Sequence, residues 1–159
     1  MPELHSKFSA SNFEADTLCP GRRTMQAGLP DSSSIYADEG TAAHTLLGWC
    51  IDRNTPAATF AGQTIKVGER EFAVDDEMAT AVQTAVGNIR QIVGEGMLLS
   101  EQRDTYASYL GLPDGDAWGT SDIIGARGAE LQVHDYKHGM GVEVDAEILE
   151  VGWLLTQGA

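Results

Sequence analysis

The sequence predicts an α/β fold in which a small mixed sheet is flanked by helices. Three observations lead there. Two proline-free segments, 33–52 and 76–94, carry apolar residues at helical spacing. The stretch 63–73 alternates apolar and polar residues around Gly68. The last third changes to the two-residue period of strands, interrupted by turn residues at 113–116 and 127–128. A length of 159 residues suits a single domain. Residues 1–34 are read as an N-terminal helix and loop, and 35–159 as the core.

In chain order, the first expected element is a short helix from Ser9 to Leu18, capped by Ser9 or Ser11. Cys19-Pro20-Gly21 closes it, because Pro20 offers no N–H to the ladder and Gly21 tolerates positive φ. Leu29 to Ser34 reads as an exposed loop. A long helix then runs from Ser33 or Ser34 to about Asp52. Ala42, Ala43, Leu46, Leu47, Trp49, Cys50 and Ile51 form its apolar stripe. Asp38 and Glu39 suit its N-terminal dipole, and Asn54-Thr55-Pro56 stops it. Gln63 to Ala73 predicts a hairpin. Asp75 or Asp76 caps a second long helix, whose Met78, Ala81, Val82, Ala85, Val86, Ile89, Ile92 and Val93 are expected core residues. Leu98 to Leu110 predicts a strand that includes Tyr106 and Tyr109. Further strands are expected from Trp118 to Ala126 and from Leu131 to Lys137, joined by a tight turn at Arg127-Gly128. A last helix is expected from Asp145 or Glu147 to Leu155.

Charge limits the function. The chain holds 24 acids and 10 bases, a net charge of −14. That argues against a protein held to nucleic acid by a broad basic face, and leaves room for a small local site. Residues 101–159 hold eleven acids and three bases, net −8, so the acid gathers around the last strands. No apolar run approaches the ~20 residues of a membrane span, and the N-terminus lacks a signal-peptide core. A cytoplasmic location with no membrane association is therefore expected. Cys19 and Cys50 are read as reduced thiols, too few for a four-cysteine iron–sulfur cluster.

The residues with chemistry lie in three places. On adjacent antiparallel strands, Asp122 and Asp135 sit side by side, and Asp135 and Lys137, two apart, share a face. Clustered aspartates suit Mg²⁺, a hard ion that takes oxygen ligands, and a neighbouring lysine stabilises charge on a phosphate or positions a water. His44 lies on the first long helix among small residues. Taken singly, these residues also fit plain roles: an aspartate near a turn, a lysine at a strand edge, a helix histidine with a local hydrogen bond. Glu39 equally fits a dipole role.

Three motifs occur in order: Glu39-Gly40-Thr41-Ala42-Ala43-His44, then Gly119-Thr120-Ser121-Asp122, then Asp135-Tyr136-Lys137. A serine-rich start running into Cys19-Pro20-Gly21 precedes them. Together they resemble the RecB-like exonuclease branch of the PD-(D/E)XK nuclease superfamily, especially a group of phage and prophage nucleases. The likeness spans about Ser6 to Val144. It implies a restriction-endonuclease-like core and metal-dependent hydrolysis of DNA by a phage-encoded protein in the host cytoplasm. It implies Mg²⁺ or Mn²⁺; some relatives also carry a four-cysteine iron–sulfur cluster, for which this chain has too few cysteines. Under it His44, Asp122, Asp135 and the Tyr136 carbonyl are metal ligands, Lys137 activates the attacking water, and Glu39 supports the site. Arg22, Arg23 and Arg127 are candidate phosphate contacts.

The sequence departs from this family after the lysine strand. A Gln and a Tyr one helical turn apart are usual there, and the matching places hold Val151 and Leu155. The sequence stops at Ala159, so the expectation is a core shortened at its C-terminus: a truncated product, a core completed by a protein partner or by self-association, or a repurposed scaffold. The competing reading is a catalytically inactive nuclease scaffold that acts as an acidic protein-binding or DNA-mimic module.

Overall fold

The two long helices begin where the sequence puts their caps. In the computed structural model, which describes residues 6–9, 12–29 and 33–139, helix α3 spans Ile35–Asp52 and helix α4 spans Asp76–Val93. The Ser34 hydroxyl accepts the Ala37 N–H at 3.1 Å, and the Asp75 carboxylate accepts the Met78 N–H at 2.8 Å. Each satisfies an N–H that the helix leaves unpaired, worth about 1 kcal/mol. Before them come two short helices, α1 (Phe13–Leu18) and α2 (Arg22–Gln26). α1 starts at Phe13, four residues after the expected Ser9, with Asn12 at its N-cap in place of Ser9 or Ser11; α2, not expected from the sequence, follows Cys19-Pro20-Gly21 directly and has no buried residue.

Two small sheets complete the fold. Strands β1 (Thr64–Val67) and β2 (Arg70–Ala73) form the expected antiparallel hairpin, with Gly68 at φ 59° in its turn. The second sheet has the order β3 (Met97–Thr105), β4 (Trp118–Arg127), β5 (Glu130–His134). β4 and β5 are antiparallel, in register from Ile123 opposite His134 to Arg127 opposite Glu130. So the expected single mixed sheet gives way to two small sheets. Two-residue turns, Gly68-Glu69 and Gly128-Ala129, join both hairpin pairs, and a turn that short permits only antiparallel strands.

Two strand ends also differ from expectation. β3 stops at Thr105, and Ser108–Leu110 makes a 3₁₀ turn. There the Ala107 carbonyl accepts the N–H groups of Leu110 (3.1 Å) and Leu112 (2.9 Å), a local closure that replaces a strand ladder. β5 stops at His134, so Asp135 and Lys137 lie on the extended segment that follows it. The expected helix at 145–155, with Val151 and Leu155, lies outside the described residues.

The described residues fall into two compact units, one from 6–29 with 103–120 and the other from 33–102 with 121–139. In the first, the Ser6 hydroxyl donates to the Asp116 carbonyl (3.1 Å) and accepts the Trp118 N–H (2.9 Å), and the Tyr106 hydroxyl donates to the Phe8 carbonyl (2.8 Å). The second holds the core: Ala42, Ala43, Leu46, Leu47 and Cys50 of α3 against Val82, Val86, Ile89 and Val93 of α4, with Phe60, Ile65, Val74 and Ile123. Full burial of such a leucine, isoleucine or valine contributes about 1.5–3 kcal/mol.

Glycine decides how β4 meets α4. A Cβ at Gly125 would run into the Val93 methyls, and one at Gly96 into the Ala126 carbonyl oxygen. The bare backbone lets β4 sit against the end of α4 with Ile123 and Gly125 inward. Asp122, the neighbour of Ile123, is thereby carried beside α3. Among the described residues, no helix is long and apolar enough to cross a membrane.

Candidate active site

α3 presents His44 on the turn that follows its buried Ala42 and Ala43. β4 presents Asp122, and the two side chains meet: His44 Nδ1 lies 3.2 Å from Asp122 Oδ1, both largely shielded from solvent. A carboxylate only accepts, so the proton of this contact sits on His44 Nδ1 and leaves Nε2 as the other ring position. The second oxygen, Asp122 Oδ2, accepts the Tyr136 backbone N–H at 2.7 Å. The segment after β5 is thus pinned to β4 through one side chain. The Tyr136 ring then packs against His44, centroids 5.4 Å apart, and the Tyr136 hydroxyl pairs with His138 Nδ1 at 3.0 Å.

The contact shifts both groups. The hydrogen bond to Asp122 raises the His44 pKa, against the opposing effect of burial, with the Asp122 and Glu101 charges adding and Lys137 subtracting. Burial alone would raise Asp122. The bonds from His44 and the Tyr136 N–H, with the His44 and Lys137 charges, outweigh it, and its pKa is lowered.

Glu101 belongs to the same group of charges, and sequence reasoning missed it. Its carboxyl has an exposed side, yet surrounding protein raises its pKa, the Asp122 and Asp52 charges raise it further, and His44 lowers it. It sits in β3 at φ 50°, a conformation rare outside glycine, which breaks the regular pleat of the strand. Ser100 beside it is buried and donates to Asp52 Oδ1 at 2.6 Å. One acid in a strand-like stretch looks like any solvent-facing position, so nothing at sequence level marks it. Thr41, His44, Thr45, Gly48, Trp49 and Asp52 of α3, with Ser100 and Glu101 of β3, line a cleft of about 400 Å³.

The other candidates are placed as follows. Asp135 and Lys137, just beyond β5 and not on a strand, engage each other, with Lys137 Nζ 2.8 Å from Asp135 Oδ2. Both are well exposed, and Lys137 lies near enough to act on the charges of His44 and Asp122. Among the described residues, no three His, Cys, Asp or Glu side chains come together as a metal-holding group. Asp122 lies on β4 as expected, whereas Asp135 falls one residue past the end of β5. Their register, continued one step past Ile123 and His134, sets them opposite each other, but the Asp135 carboxylate turns to Lys137. Glu39 is half-buried on the first turns of α3 and enters none of these contacts. Arg22 and Arg23 are both held by Asp16, and Arg23 also covers the Phe8 ring. Arg127 pairs with Glu130 at 3.4 Å. The thiols of Cys19, exposed, and Cys50, buried, are free.

The Asp122 charge presses on Glu101, and the His44 imidazole offsets part of that repulsion. A family model described as a protein of unknown function, DUF2800, matches residues 5–150 of the chain. No solved structure matches it.

Proposed function

The chain belongs to the DUF2800 family, and on the chemistry of its site we propose that it is a metal-dependent DNA nuclease of the RecB-like PD-(D/E)XK type, phage-encoded and cytoplasmic. The observation that carries this reading is the clamp on Asp122, with His44 on one oxygen and the Tyr136 N–H on the other, beside Glu101 and within the field of Lys137.

Each residue has a task in the proposal. His44, Asp122, Asp135 and the Tyr136 carbonyl, with Glu101 as a further oxygen donor, are the groups that would hold Mg²⁺ or Mn²⁺; among the described residues they do not already stand together as a metal-holding group, so taking up the ion would require Asp135 to leave Lys137. The ion supplies Lewis acidity toward the phosphate and an acidified water. The reaction is hydrolysis: a water oxygen bonds to phosphorus, one phosphorus–oxygen ester bond breaks, and a proton ends on the leaving oxygen. Lys137 orients the water and offsets charge on the phosphate. His44 and Tyr136 keep Asp122 oriented. Arg22, Arg23 and Arg127 reach phosphates only by giving up part of their hold on Asp16 and Glu130.

The test is cleavage of linear and circular DNA, single- and double-stranded, with Mg²⁺, with Mn²⁺ and with chelator. Metal-dependent cleavage that disappears in both Asp122→Ala and Lys137→Ala is the expected result. No cleavage of any substrate, together with no rise in melting temperature on adding either metal, would overturn the proposal. It would favour the inactive scaffold, which the net charge of −14 also suits.

A further inference from the structure

The unit formed by 6–29 and 103–120 carries an open cleft of its own, of about 630 Å³. Arg103 and Thr105 of β3, Trp118 of β4, and Asp114 and Gly115 of the connecting turn line it. Its floor is a stack: the Arg103 guanidinium lies over the Trp118 ring, 3.2 Å from the centroid. Trp118 is held in place from behind, its N–H donating to Ser6 and its carbonyl accepting the Tyr106 hydroxyl at 3.3 Å. Arg103 is exposed and Trp118 half-buried, so the layer meets solvent at the cleft.

We propose that this cleft is a binding site for an unpaired nucleobase of a single DNA strand. The inference rests on the nuclease reading only for the identity of the polymer. Three features of the chemistry select a base. A planar cation layered on an indole is a platform for another flat π-system, and bases stack on aromatic rings and on guanidinium planes alike. The Thr105 hydroxyl already donates to the Ala117 carbonyl at 3.1 Å, so its remaining capacity is as an acceptor. The Asp114 carboxylate at the rim accepts only, which suits the amino edge of a base and repels a phosphate. A bare anion would therefore meet one cation and one opposing charge. A base meets the platform on its face and acceptors at its edge. Paired bases present no free face, so duplex DNA is excluded except at frayed ends.

The experiment measures binding in chelator, where nothing is cleaved. The probes are a fluorescently labelled single-stranded dodecamer, an abasic dodecamer of equal charge and a blunt duplex. The wild-type protein is expected to prefer the base-containing strand over the abasic one by roughly tenfold or more. Trp118→Ala and Arg103→Gln are each expected to abolish that preference, and Trp118→Phe to keep most of it. Arg103→Gln leaves β4 intact, so it answers the question if Trp118→Ala fails to fold. Equal affinity for abasic and base-containing strands, tighter binding of duplex, or a preference unchanged in Arg103→Gln would overturn the proposal. Asp122→Ala separates the two readings: it loses cleavage and keeps the preference if both hold. A preference without metal-dependent cleavage by the wild type supports the base site and defeats the nuclease.

Discussion

At the scale of single residues, the His44–Asp122 pair makes stability depend on pH in a defined direction. His44 has its pKa raised above 6.5, so its share is complete below 6.5 and is lost as pH climbs through the raised value. Asp122 has its pKa lowered below 3.8, so its share is present above 3.8 and is lost as pH falls through the lowered value. The pair therefore contributes most between those two values. Asp122→Asn removes the charge and still accepts the Tyr136 N–H, which isolates the effect. In chelator, wild type should exceed Asp122→Asn by on the order of 1 kcal/mol near pH 5.5 and by less than half that near pH 8.5. Denaturant unfolding at both pH values measures the difference, and an advantage that stays level or grows with pH would contradict the contact.

At the scale of elements, β4 is fixed on α4 by the absence of a side chain at Gly125, into whose place the Val93 methyls project. Gly125→Ala should cost about 1–3 kcal/mol through overpacking. Adding Val93→Ala removes the obstructing methyls, so the double variant should be more stable than the sum of the two single losses predicts, by at least about 0.5 kcal/mol. Strict additivity in a thermal or urea double-mutant cycle would show that the two positions do not touch. The same level explains what the sequence could and could not reveal. α3, α4 and the β1–β2 hairpin were legible because each is set by local signals: a Ser34 or Asp75 cap, an apolar stripe, a glycine turn. His44 and Asp122 were each singled out through their motifs, but as metal ligands; that they bond to each other was not legible, because it depends on how β4 lies beside α3. The end of β5 was not, because the alternation of Leu131 to Lys137 continues past the last ladder bond, and only the Tyr136 N–H bond to Asp122 reveals where the chain leaves the sheet. Glu101 was not, because its environment is made by α3 and β4, far away in sequence. Neither was the pairing of Asp135 with Lys137 in preference to Asp122, which is a choice among nearby charges and not a matter of spacing.

At the scale of the whole molecule, the net charge of −14 and the proposed chemistry meet in one measurable quantity, the salt dependence of DNA binding. Each phosphate neutralised by a lysine or arginine releases counterions, so the log–log slope of affinity against salt is about −0.7 to −0.9 per contact. The chain has 10 such cations, and several are already engaged: Arg22 and Arg23 by Asp16, Arg70 by Asp38, Arg127 by Glu130, Lys137 by Asp135. A protein that held DNA by a basic face would show a slope of about −5 or steeper. One that holds a strand by a local site and base stacking should show a slope no steeper than about −3, because stacking releases no counterions. Binding isotherms of a single-stranded dodecamer in chelator, between about 50 and 200 mM salt, would measure it. A steep slope would mean that the engaged arginines swing onto phosphates and that the acidic surface is less decisive than its size suggests. A shallow slope that becomes no steeper in Trp118→Ala, while affinity falls, would assign the binding energy to the base. That outcome would also show how a chain so rich in acid could hold the polyanion proposed as its substrate.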